Sequence, residues 1–138
     1  MRSFGAWSGP RARIGLGTNR LRNTGESVTF IRAAIDAGVE MIDTARLYTG
    51  GESEQAIGRA LPASLANVTV ATKGGYGGAG RGAPEVLRQE IEQSLASLRV
   101  KRISLYYLHR VDPKTPVEVS LGAIKECVDR GAIERVGI

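Results

Sequence analysis

The stretch Ile42-Asp43-Thr44-Ala45-Arg46-Leu47-Tyr48-Thr49-Gly50-Gly51-Glu52-Ser53-Glu54-Gln55-Ala56-Ile57-Gly58 organises the chain. An apolar run ends on a carboxylate, Asp43. Tyr48 follows, and a Gly-Gly turn then opens a helical pattern. A buried carboxylate has to be paired or hydrogen-bonded, so Asp43 needs a partner from elsewhere in the chain. Beside a glycine turn, Tyr48 reads either as a turn filler or as a proton donor.

Upstream, residues 1–12 are rich in Gly, Pro and Arg and read as a loop or short hairpin. Arg13–Thr18 reads as a first strand broken by glycines where something approaches the backbone closely. Ser27–Ala37 carries Val28, Ile31, Ala34 and Ile35 at helical spacing and stops at Gly38. Val39–Asp43 is a second strand. Downstream, Ser53–Leu61 is a short helix ended by Pro62, and Val68–Thr72 is a third strand closing on Lys73 and a flexible glycine-rich loop, 74–82. Pro84 opens an amphipathic helix with Val86, Leu87, Ile91, Leu95 and Leu98 on one face. Ile103–Leu108 is a fourth strand, followed by His109-Arg110. Thr115-Pro116-Val117-Glu118 reads as a capping box with proline at the first helical position. That helix carries Val117, Leu121, Ile124 and Val128, ends at Gly131, and leads to a fifth strand, Ile133–Ile138.

Strands alternating with helices imply a parallel sheet with crossover helices. Two layouts fit: an open doubly wound sheet, or part of an eight-fold barrel of ~250 residues. At 138 residues the chain makes one domain, and length favours the open sheet. Hydrophobic content of 42% with 24% charged residues is that of a globular protein. There is no apolar run near the ~20 residues of a membrane span and no signal-peptide pattern, so the expected location is cytoplasmic, without a membrane partner. The +5 net charge comes from scattered arginines, not a basic stripe with aromatics, so no nucleic-acid partner is expected. The single Cys127, on an apolar helix face, reads as core filler, and no metal site is expected.

The loop Gly75-Tyr76-Gly77-Gly78-Ala79-Gly80 matches G-x-G-x-x-G, but the next strand ends in His109-Arg110 with no acidic residue to hold a ribose. The positional pattern tells more. Three consecutive strands end in Asp43, Lys73 and His109, and in parallel α/β folds the C-terminal strand ends face one way. With strands about 4.8 Å apart, these groups fit one pocket, and Tyr48 can reach it. A free tyrosine, with a pKa of about 10, is a sluggish acid at neutral pH, and a nearby ammonium favours its phenolate. A carboxylate keeps the lysine charged and in place, and the histidine orients a substrate oxygen. This set suits protonation of a carbonyl oxygen as hydride arrives at carbon. It holds no hydride source, so a nicotinamide cofactor is required.

Asp43-Thr44-Ala45-x-x-Tyr48, Gly51-x-Ser53-Glu54-x-x-Ile57-Gly58, Thr72-Lys73 and Leu108-His109-Arg110-x-Asp112-Pro113 resemble, in order and spacing, the motifs of the aldo/keto reductase family. Gly15-Leu16-Gly17-Thr18 resembles its first strand. The resemblance implies a (β/α)8 TIM barrel, of which residues 1–138 hold the first four βα units and a fifth strand, a C-terminally truncated single domain. It overrides the length argument. It also implies NADPH-dependent reduction of small-molecule aldehydes or ketones. Tyr48 is then the proton donor, Lys73 the residue that lowers its pKa, Asp43 the partner of Lys73 and of the nicotinamide ribose, and His109 the residue that orients the substrate carbonyl. Gly17, Thr18, Asn19 and Asp43 are the expected cofactor contacts. On this reading the fragment alone is expected to be inactive and to self-associate through exposed barrel edges. The alternative is a non-catalytic, reductase-like binding or regulatory subunit.

Overall fold

A computed structural model describes residues 14–61 and 68–138. The expected N-terminal loop or hairpin, Arg13 at the start of the first strand and Pro62 at the end of the second helix lie outside the described residues.

The elements follow in the order β1 (Leu16–Gly17), α1 (Gly25–Asp36), β2 (Met41–Asp43), a 3-10 turn (Tyr48–Gly51), α2 (Glu52–Ala60), β3 (Thr69–Gly74), α3 (Pro84–Leu98), β4 (Ile103–Leu108), α4 (Val117–Asp129) and β5 (Ile133–Gly137). The strands are all parallel and lie in the order β1-β2-β3-β4-β5. A doubly wound sheet reverses its strand order at a switch point; this one does not. Consecutive helices pack side by side, α1 on α2, α2 on α3 and α3 on α4. Continuous winding with one helical layer is the arrangement of a TIM barrel wall, here four βα units and a fifth strand.

The core lies between sheet and helices and includes Ile42, Val70, Tyr106 and Leu108 from the strands with Ile31, Ile57, Leu87, Ile91 and Ile124 from the helices. Cys127 is buried among them as expected. Among the described residues no helix is long and apolar enough to cross a membrane.

Helix α1 begins before the expected Ser27 because Thr24 caps it, its hydroxyl accepting from the Ser27 N–H at 3.2 Å. Its end is as read. Gly38, at φ 99°, donates to the Ile35 carbonyl and Val39 to that of Ala34, a Schellman closure that needs the left-handed residue. The capping box expected at Thr115–Glu118 does not form. Pro116 is itself the cap residue of α4, without a side-chain cap, and the Thr115 hydroxyl donates to Asp112 Oδ2 at 2.7 Å.

Strand β3 runs two residues past the expected Thr72. Lys73 therefore lies inside a strand, and alternation fixes its direction. Thr72 faces the helices, donating to Glu54 of α2 at 2.7 Å, so Lys73 faces the barrel interior. The register pairs Asp43 with Ala71 and Lys73 with Tyr107, which puts Asp43, Lys73 and, by the same parity, His109 on that inner side.

Candidate active site

The inner face at the C-terminal strand ends brings together all four side chains expected there. Lys73 Nζ donates to Asp43 Oδ1 at 2.6 Å, to the Thr44 carbonyl at 2.8 Å and to Tyr48 Oη at 3.4 Å. Three donors meet three acceptors, so the ammonium is fully satisfied. It also sits 5.0 Å from the Tyr48 ring centroid. The His109 ring stands edge-on to Tyr48, with centroids 6.2 Å apart.

Tyr48 is placed by a tight reversal. After β2 the backbone keeps following β3, Thr44 N–H to Ala71 O at 2.8 Å and Arg46 N–H to Lys73 O at 2.9 Å. It then turns through Thr49, Gly50 and Gly51, all left-handed. That conformation is costly for a β-branched residue. Thr49 is held in it by its hydroxyl, which lies 2.6 Å from the Leu21 carbonyl.

Beneath the turn, the buried Ser53 hydroxyl lies 2.8 Å from Thr18 Oγ1 and 2.9 Å from Thr44 Oγ1, and Thr18 donates to the Asp43 carbonyl at 2.9 Å. These hydroxyls lock the start of α2 onto the ends of β1 and β2. The rest of the 51–58 motif is scaffolding too. Glu54 receives Thr72, Ile57 fills the core, and a Cβ on Gly58 would lie 2.9 Å from the Leu98 carbonyl carbon.

Of the expected cofactor contacts, Gly17 and Asn19 lie exposed at the end of β1, while Thr18 is buried with its hydroxyl committed to Asp43. Asp43 keeps 43% of its side chain exposed, so its carboxylate remains open to a hydroxyl on the interior side.

His109 donates its backbone N–H to the Gly74 carbonyl at 2.7 Å, and its buried Nδ1 has no hydrogen-bond partner. Burial lowers its pKa below the ordinary histidine value, helped by the charges of Lys73 and Arg110 and opposed by Asp43. The imidazole is held neutral, with one nitrogen a donor.

Sequence reasoning passed over the far side of His109. Tyr76 packs on its ring with centroids 4.8 Å apart, and the Arg110 guanidinium lies 5.4 Å from the Tyr76 ring. The glycine-rich loop carrying Tyr76, expected to be flexible, is tied down. Gly75 N–H donates to Glu90 Oε2 at 2.7 Å, Arg81 pairs with Glu90, and the Gly80 and Gly82 amides donate to Asp112. Its glycines had drawn attention; its aromatic was the available signal.

A second polar group lies behind β3. Glu54 is fully buried, and burial raises its carboxyl pKa against the opposing effects of Thr72, Ser94 and Arg46. Ser94 Oγ acts on it without meeting hydrogen-bond geometry; Glu54 Oε2, Ser94 Oγ and Tyr106 Oη all lack partners. The hydroxyls of Ser94 and Tyr106 can each donate or accept, so a carboxyl here has polar neighbours without a fixed hydrogen bond to its second oxygen.

The profile of the Aldo/keto reductase family matches residues 13–138. The aldo-keto reductase str7 of Strobilurus tenacellus is 39% identical over 116 residues, covering 82% of this chain and 34% of its own length. A probable aldo-keto reductase 1 of Glycine max is 32% identical over 120 residues, covering 82% and 35%. Among solved structures, a glycerol dehydrogenase from Gluconobacter oxydans superposes with a TM-score of 0.79 at 34% identity, covering 91% of this chain and 44% of that one. An aldo-keto reductase from Klebsiella pneumoniae, solved in complex with NADPH, gives 0.76 at 27% identity, covering 89% and 43%. The chain spans about a third of the length of these curated relatives and under half of these solved chains. Profile, relatives and the winding of the sheet agree: the chain belongs to the aldo/keto reductase family.

Proposed function

We propose that this chain carries the proton-donating side of an NADPH-dependent carbonyl reductase site, with small aldehydes or ketones as substrates. The observation that carries the reading is the single ammonium of Lys73, in reach of both the Asp43 carboxylate and the Tyr48 phenol.

Tyr48 is the general acid. Negative charge developing on its oxygen is met by the ammonium at 3.4 Å. Asp43 keeps Lys73 charged and fixed in direction. Neutral His109 donates to the substrate carbonyl oxygen and turns it toward Tyr48. Bound NADPH supplies the hydride; Asp43, Gly17 and Asn19 are the residues that hold its nicotinamide ribose. The relative solved with NADPH and the open Asp43 carboxylate support this cofactor.

The test is carbonyl-dependent oxidation of NADPH, across a panel of aldehydes and ketones, by a complete barrel that includes this chain, the chain alone being expected to be inactive. Turnover supports the reading. Tight NADPH binding with no turnover on any carbonyl contradicts it and leaves the binding-subunit alternative.

Self-association belongs to the same proposal. β1 and β5 are the outer strands of the described sheet, and exposed ladder edges recruit further strands. Sedimentation of the chain should give a species larger than a monomer; a monomer at all concentrations rules this out.

A further inference from the structure

Asp112 is 5% exposed and accepts four hydrogen bonds. Its Oδ1 receives Gly80 N–H at 3.0 Å and Lys114 N–H at 2.9 Å, and its Oδ2 receives Gly82 N–H at 2.9 Å and the Thr115 hydroxyl at 2.7 Å. One carboxylate thus staples the loop after β3 to the loop after β4. The Ser120 hydroxyl, donating to the Gly82 carbonyl at 2.7 Å, closes the staple. Fit is tight, since a Cβ on Gly82 would lie 2.6 Å from Asp112 Cβ.

The two loop amides held by Asp112 flank Arg81. Its guanidinium pairs with Glu90 and donates to the Tyr76 carbonyl at 3.3 Å, while Glu90 also holds Gly75. Gly75, Gly77, Gly78 and Gly80 all have positive φ, so the loop has little stiffness of its own and takes its pose from these anchors. The pose lays Tyr76 against His109.

We propose that Asp112 is a positioning residue of the site: by fixing the amides on either side of Arg81 it holds Tyr76 over the His109 ring. The proposal rests on the reductase reading only in taking His109 as a site residue. The groups facing His109 are Asp43 from β2, Tyr48 from the 3-10 turn, Lys73 from β3, Tyr76 from the glycine-rich loop, and its neighbour Arg110. Lifting Tyr76 hydrates the imidazole and leaves those charges in place.

Because His109 is the only histidine, its NMR titration and its ring contacts with Tyr76 can be read in this chain without turnover. Asp112→Asn should shift the His109 pKa upward toward the ordinary value and weaken the Tyr76–His109 cross-peaks, as Tyr76→Ala does. Tyr76→Phe should leave the titration unchanged. The direction discriminates, because removing a carboxylate charge by itself lowers a histidine pKa. Folded Asp112→Asn with wild-type titration and cross-peaks overturns the proposal. Should Asp112→Asn fail to fold, Arg81→Ala at a half-exposed position tests the same relay, and unchanged cross-peaks there overturn it. Absence of reductase turnover in the wild-type complete barrel, with the NMR shifts as expected, would count against the reductase reading and not against Asp112.

Discussion

Lys73 and Asp43 lie 30 residues apart in the chain and 2.6 Å apart in space, their pairing set by strand register and not by local sequence. The lysine is largely buried and the carboxylate is 43% exposed. The pair is therefore a weak stabiliser that orients the ammonium toward Tyr48.

Lys73→Met should accordingly lower stability by no more than about 1 kcal/mol, since the freed Asp43 can rehydrate. Carbonyl reduction should fall about 100-fold or more with the loss of charge stabilisation at the phenol oxygen. Denaturant unfolding and steady-state rates measured on the same preparation check the contrast.

His109 gives a pH signature. Its folded pKa lies below its unfolded value of 6.5, so between the two the unfolded state binds more protons. The stability it contributes is complete above pH 6.5 and is lost as pH falls through the folded pKa. His109→Gln should flatten that segment of a stability–pH profile measured by urea midpoint.

Glu54 has the opposite sign. Its folded pKa is raised above 4.5, so stability is complete below that pH and declines as pH rises through the folded pKa. Glu54→Gln keeps the acceptor for Thr72 and removes the buried charge. It should be at least as stable as wild type at neutral pH, whereas Glu54→Ala should lose about 1–3 kcal/mol by leaving Thr72 without its acceptor.

Gly58 tests the scaffold. A methyl there meets the backbone of Ser97 and Leu98, which cannot swing aside. Gly58→Ala should cost about 1–3 kcal/mol by thermal or urea unfolding.

Much of this was legible in the sequence. Apolar runs ending on Asp43, Lys73 and His109 identified strands and site together, because side chains at strand ends have only two directions. The barrel winding was not legible from periodicity, since both layouts share the β-α alternation; the strand order β1 to β5 and the family motifs resolved it. The hydrogen-bond partners of Thr24, Thr115 and Asp112 were not legible because a short polar side chain has several within reach, and only tertiary placement selects among them. Thr18, expected from the family resemblance as a cofactor contact, gives its hydroxyl proton to the Asp43 carbonyl, a partner that the sequence does not show.

The most direct test of the central claim is Tyr48→Phe in the complete barrel, assayed for carbonyl-dependent NADPH oxidation beside NADPH binding by fluorescence quenching. Removing the phenol oxygen should lower the rate by about 100- to 10,000-fold, the range of a general acid, with cofactor affinity nearly unchanged. Wild-type turnover in Tyr48→Phe would contradict the assignment of Tyr48 as proton donor.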